Sequence, residues 1–137
     1  MWTITGTPAI IGRASQLIDE ADTRVIYGSK DLAHPDAELL SSVRSCCSRE
    51  VPVLLLQNNG QEIAEPLRET ECVSSVSVPP QQSKSEHAVR LLLVDSDSFL
   101  LSVRSNRSAP EIAIWSANTT FAEAFLQLLT SSLPVTE

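Results

Sequence analysis

The chain has 137 residues, 42% of them hydrophobic and 20% charged, with a formal net charge of −7. That length fits one domain with a core burying roughly two thirds of the unfolded surface, and no apolar run approaches the roughly 20 residues of a membrane-spanning helix. So acidic a balance argues against contact with a nucleic-acid backbone, where Lys and Arg must displace counterions; with no basic-then-apolar leader, an unprocessed cytoplasmic chain that touches neither membrane nor nucleic acid is expected.

Lys30 and Lys84 stand against eight arginines, a bias that fits a salt-adapted source and chance about equally. Cys46, Cys47 and Cys72 have neither disulfide-scaffold nor zinc spacing. Reduced, mostly buried thiols are therefore expected, with no metal and no cofactor.

Taken in order, Thr7-Pro8 opens a helix, Thr as a cap and Pro at the first helical position. Ile10, Ala14, Leu17, Ile18 and Ala21 recur at helical spacing behind it. Arg24 to Tyr27 reads as a short strand stopped by Gly28-Ser29. His34-Pro35-Asp36 opens a second helix with acids in its first turn and Leu39, Leu40, Val43 and Cys46 or Cys47 as its buried stripe. Val53 to Leu56 is apolar without alternation, as in a strand covered on both faces, and parallel pairing with the preceding strand follows from the helix between them. Glu62 to Glu69 is a weaker helix, and Cys72 to Val78 a strand with Ser74, Val76 and Val78 on one face.

Pro79 to Glu86 is all polar or proline and reads as an exposed loop. Ala88 to Val94 and Phe99 to Arg104 form an antiparallel hairpin across Asp95-Ser96-Asp97-Ser98. Ile112 to Trp115 is a further strand. Thr120-Phe121-Ala122-Glu123 has capping-box spacing and starts a last helix with Phe121, Phe125, Leu128 and Leu129 inward. The expected fold is α/β: a mixed sheet of about six strands flanked by helices, spanning residues 1–137 as a single domain.

Ligands in open α/β sheets bind beyond the carboxyl ends of strands. Those ends supply Ser29 and Lys30, Gln57 and Asn58, Asp95, and Ser116 with Asn118, groups suited to a polar ligand such as a sugar. Each alone also reads as a turn former, and only convergence in space separates the two readings. Catalytic chemistry has little to draw on. His34 and His87 both sit in polar loops, and no phosphate loop, serine elbow, metal set or paired-carboxylate motif is present. Trp2 and Trp115 could stack on a sugar, though Trp115 reads more readily as core or interface.

Trp2 to Gly6, Ile10 to Ala14 and Leu17 to Ala21, together with Glu111 to Trp115, resemble the opening and closing segments of the ligand-sensing domain of TrmB-type archaeal transcriptional regulators. That domain resembles half of a phospholipase D fold, whose signature is His, any residue, Lys, four residues, Asp. Placing Asp95 on the signature acid puts Arg90 at the Lys position and Ala88 at the nucleophile's, with His87 one residue out of register and so on the opposite strand face.

The resemblance implies a small-molecule-sensing, homodimer-forming domain of a sugar- or metabolite-responsive regulator. Such a domain would be non-catalytic, with Ser29, Lys30, Asn58, Arg90, Asp95, Ser116 and Asn118 around the effector. The family's winged helix and dimerising helix have no counterpart within the chain, and Pro134 to Glu137 leaves no room for an added sugar-binding segment. Two alternatives stand beside this reading: a purely structural dimerisation module, and a residual phospholipase D-like phosphodiesterase tested at His87. Arg90 and Asp95 are expected to form an ion pair or to line the pocket.

Overall fold

The first helical stripe does what its spacing implies. In a computed structural model that describes residues 2–58, 60–78 and 88–117, helix α1 (Thr7–Asp19) buries Ile10, Ile11, Ala14, Leu17 and Ile18. Each fully buried aliphatic side chain contributes about 1.5–3 kcal/mol. Thr7 itself does not cap: Gly6 holds the N-cap at φ 102, where a side chain would be strained, and no side-chain cap bond is made. The Thr7 hydroxyl is used elsewhere, as described below.

Helix α2 (Ala37–Ser48) starts on Asp36, whose side chain accepts from Glu38 N at 2.9 Å. It packs on α1 through two direct ties, Ser42 Oγ to Ser15 O at 3.2 Å and Cys46 Sγ to Ile18 O at 3.4 Å. At its end Arg49 donates to the carbonyls of Ala21 and Ile18, satisfying acceptors that the end of α1 leaves without intrahelical partners. A short helix α3 (Glu65–Arg68) replaces the longer one expected there, because Pro66 allows only a helical start.

The strands are β1 (Trp2–Thr5), β2 (Val25–Ser29), β3 (Val53–Asn58), β4 (Val73–Val78), β5 (Ala88–Val94), β6 (Ser98–Val103) and β7 (Ile112–Ser116). They form one mixed sheet in the order β1-β7-β6-β5-β2-β3-β4. The α/β class holds, with seven strands among the described residues where about six were expected. The added one is β1, four residues that pair with β7 at the far end of the described chain. β2, β3 and β4 run parallel, β5 is antiparallel to β2, and each further strand out to β1 reverses again.

Side-chain alternation divides the core. Val25, Tyr27, Leu55, Leu92, Val94, Leu100 and Ala113 join the residues of α1 and α2 in the larger cluster. Ile26, Leu93 and Phe99 form a second cluster on the other face.

The cysteines depart from expectation. Cys47, at the end of α2, and Cys72, just before β4, are joined in a disulfide with Cα atoms 5.3 Å apart, while Cys46 remains a buried free thiol. Spacing of 25 residues carries no signature, but the return of the chain from β3 to the next parallel strand brings the two together. Burial pushes the Cys46 thiol pKa up. No described helix is long and apolar enough to cross a membrane. The expected Pro79–Glu86 loop and the expected last helix lie outside the described residues.

Candidate functional site

The mixed strand directions decide which residues meet. At one edge of the sheet lie the carboxyl ends of β1, β2, β3 and β6 and the amino ends of β5 and β7. That edge carries Gly6-Thr7, Ser29-Lys30-Asp31, Asn58, Arg90, Arg104 and Glu111.

Its centre is a buried ion pair. Arg90 sits inside β5 opposite Ser29 and Ser102, and its Nε and Nη2 donate to the two carboxylate oxygens of Glu111 at 2.7 and 3.2 Å. The paired side chains are 3% and 0% exposed, so neither charge is shared with water. The remaining capacity of the carboxylate is filled by Ser102 Oγ at 2.6 Å and Thr7 Oγ1 at 2.8 Å. Arg90 Nη1 donates to the Tyr27 hydroxyl at 3.0 Å, and Asp31 Oδ2 lies 3.6 Å from Nη2. Burial opposes both charges, but hydrogen bonding outweighs it: Glu111 is held below the ordinary carboxylate pKa by Arg90, Ser102 and Thr7, and Arg90 above its own ordinary value by Glu111 and Tyr27.

Above the pair opens a cleft of about 730 Å3 lined by Thr7, Lys30, Asp31, Val89, Arg90, Arg104, Ser105, Asn106 and Arg107. Arg104 reaches across it to Thr7 Oγ1 at 3.2 Å, while its buried Nε has no hydrogen-bond partner. In a chain of net charge −7, four of the ten basic side chains meet here. Arg90 and Arg104 share the Glu111 carboxylate and Asp31 faces Arg90, so four cationic side chains meet two carboxylates among the described residues. An anion fits that electrostatics. Among the described residues no aromatic ring lines the cleft. Trp2 and Trp115 are instead stacked on each other at 6.2 Å, with the Arg13 guanidinium 4.3 Å from the Trp115 centroid.

The residues singled out from the sequence divide between two edges. Lys30 and Arg90 line the cleft. Ser29 lies beneath it, its hydroxyl bonded to Asp31, and Asn58 lies along the same edge, tied to Gln61 through its backbone N–H at 3.0 Å. Asp95 and Ser116 are at the opposite edge, because β5 and β7 run against β2. Asn118 and His87 lie outside the described residues.

Arg90 and Asp95 accordingly form no pair: five residues of strand separate them by about 16 Å. Asp95, at φ 56, instead caps the turn before β2, accepting from the backbone N–H groups of Asp22, Thr23 and Arg24 at 2.8 to 3.2 Å and from Thr23 Oγ1 at 3.0 Å. Those bonds hold its pKa below the ordinary value against the raising effect of burial. Asp95→Ala is expected to cost about 1–2 kcal/mol in urea unfolding, a charge-assisted cluster partly replaced by water. An unchanged midpoint would show that the turn does not depend on it. Thr7, Asp31, Arg104 to Arg107 and Glu111 were missed; the one available signal was an unexplained Arg inside an apolar strand, which requires a buried acid somewhere.

No protein-family model and no curated protein sequence matches the chain. Solved structures do match in shape. NucT from Helicobacter pylori aligns over 96% of both chains at 10% identity with a TM-score of 0.68. Nuc from Salmonella typhimurium, a phospholipase D family member, aligns over 95% of this chain and 92% of its own at 13% identity, with a TM-score of 0.66. The fold is phospholipase D-like. TrmBL2, an archaeal chromatin protein, aligns over 97% of this chain and 52% of its own at 11% identity, with a TM-score of 0.60.

These matches overturn the expectation that the chain is not an enzyme, since a phospholipase D family member shares its architecture at nearly full length. The register of β5 removes one ground for that expectation. Ala88 pairs with Val103 but Arg90 with Ser102, so a β-bulge at Val89 interrupts the alternation. Strand parity therefore cannot be counted through this point, and residue 87 cannot be assigned to the face opposite Arg90 by counting.

Proposed function

We propose that this chain is an effector-binding domain that takes a phosphate-bearing small molecule, such as a sugar phosphate, in the cleft between Lys30, Arg104 and Arg107. The observation that carries the reading is the gathering of four of the ten basic side chains at one cleft in an acidic protein. The alignment with about half of an archaeal chromatin protein supports a place in a larger DNA-associated protein; that residues 1–137 are one sensing domain, acting as a homodimer in a transcriptional regulator, is part of the proposal.

Thermal melts distinguish the ligands. Glucose 6-phosphate and inorganic phosphate are expected to raise the melting temperature saturably, and glucose to leave it unchanged. Arg104→Ala is expected to weaken the phosphate response about tenfold or more, as loss of a hydrogen bond between charged groups implies. An equal response to glucose would sink the anion assignment.

The phospholipase D-like fold favours a second reading, in which the bound phosphoester is also cleaved. Hydrolysis of bis(p-nitrophenyl) phosphate that disappears in His87→Ala would establish it, and binding without turnover would favour the sensor.

A further inference from the structure

The charged groups at the cleft stand in a row. Arg104 Nη2 lies 3.8 Å from Glu111 Oε1, Arg90 Nη2 donates to the same oxygen at 3.2 Å, and Asp31 Oδ2 stands 3.6 Å from Arg90 Nη2. Cation and anion alternate along it, and access to water separates them into two classes. Glu111 and Arg90, in the middle, are buried, whereas the ends, Arg104 and Asp31, have side chains 37% and 45% exposed. A ligand entering the cleft therefore meets a cation and an anion, held apart by an ion pair that is already complete.

Arg90 does not account for Asp31. Glu111 engages that guanidinium through two hydrogen bonds, at 2.7 and 3.2 Å, and the Tyr27 hydroxyl accepts a third at 3.0 Å. Asp31 stands beyond hydrogen-bond distance from it, and an ion pair with a half-exposed carboxylate at that range contributes little. The Asp31 side chain is nevertheless fixed. Ser29 Oγ donates to Oδ1 and accepts from the Asp31 backbone N–H at 3.1 Å, which presents Oδ2 at a set place in the cleft wall.

A simple anion drawn in by Arg104 and Arg107 would be repelled by Asp31. A molecule that carries a positive group beside its phosphate satisfies both ends of the row. The cleft, at about 730 Å3, is of the size that holds a whole small molecule and not an ion alone.

We infer that the cleft selects phosphate esters that also carry an ammonium group, of the amino sugar phosphate class, and that Asp31 is the residue that makes the selection. The phosphate accepts from Arg104 and Arg107, and the ammonium donates to Asp31 Oδ2. That bond is charged on both sides, whereas a hydroxyl in the same place brings a neutral donor. This inference rests on the phosphate-binding cleft proposed above and names the second group of its ligand.

Calorimetric titration of the full chain at pH 7 with glucosamine 6-phosphate, glucose 6-phosphate and inorganic phosphate tests it. The same titrations are made on Asp31→Asn, which removes the charge and keeps an acceptor for Ser29. The parent is expected to bind glucosamine 6-phosphate about five- to tenfold more tightly than glucose 6-phosphate, as a charge-assisted bond to a half-exposed carboxylate implies. In Asp31→Asn that difference is expected to vanish while inorganic phosphate binds at least as tightly as before, which loss of structure would not produce. If the variant is unstable, the two esters on the parent decide alone. Glucosamine 6-phosphate binding no better than glucose 6-phosphate, or a preference that survives in Asp31→Asn, overturns the selection and leaves the phosphate cleft standing. Failure of all three ligands to bind the parent overturns both.

Discussion

Glu111→Ala is expected to destabilise the protein by about 3–5 kcal/mol, the cost of leaving a buried partner charge uncompensated. The side chains of Arg90 and Glu111 are 3% and 0% exposed, and their contact is bidentate. Removing the carboxylate also strips the acceptor from Ser102 Oγ and Thr7 Oγ1. Arg104, 3.8 Å from the same carboxylate, would lose its counter-charge as well. The double replacement Arg90→Met with Glu111→Leu is expected to recover most of the loss, because it removes both desolvated charges together. Denaturant titrations of the two variants measure the difference. A single variant as stable as the parent would mean that Arg90 finds water or Asp31 instead.

The same pair sets an acid limit. Glu111 has a folded-state pKa below its ordinary value of 4.5, and Asp95 below 3.8. Their stabilisation is therefore complete above those values and is lost as pH falls through the lower folded-state pKa values. Melting temperature is expected to fall below about pH 4.5, with a shallower fall in the double variant.

Breaking the Cys47–Cys72 bond, by reductant or by Cys47→Ser, is expected to cost about 3 kcal/mol, the loop-closure entropy returned to the unfolded chain by a loop of this length. The separation is 25 residues. For a domain of this size that corresponds to about 10 °C in melting temperature. The loss should fall first on β4, which has one strand neighbour among the described residues and is tied to α2 through this bond. Cys46→Ser is the control, since that thiol is buried and pairs with no cysteine. Melts with and without dithiothreitol, together with a thiol count on denatured protein, decide the matter. Three free thiols, or an unchanged melt under reduction, would contradict the disulfide.

Much of the fold could be read residue by residue. The stripe from Ile10 to Ile18, the Asp36 cap, the uniform apolar run at Val53 and the Asp95 turn between two apolar segments are local signals. Each reports a period or a backbone preference that neighbours in sequence settle among themselves. β1 was not legible in this way. Trp2 to Thr5 is four residues long, and what makes it a strand is β7, more than a hundred residues later.

The candidate site was legible only in part, and the departure has a single cause. Strand ends were treated as one edge, which holds for a parallel sheet. Here β5 and β7 run against β2, so Asp95 and Ser116 went to one edge while Lys30 and Arg90 stayed at the other. Taken alone, the sequence determined that this chain would build an α/β layer with an Arg inside a strand and an acid after it. Only the tertiary structure decided that the Arg would be matched by Glu111 and not by Asp95, that Thr7 would bond to that carboxylate and not cap its helix, and that Cys47 would meet Cys72. Periodicity is carried by neighbouring residues, whereas strand direction and the partner of a buried charge are settled by pairing between segments distant in the chain.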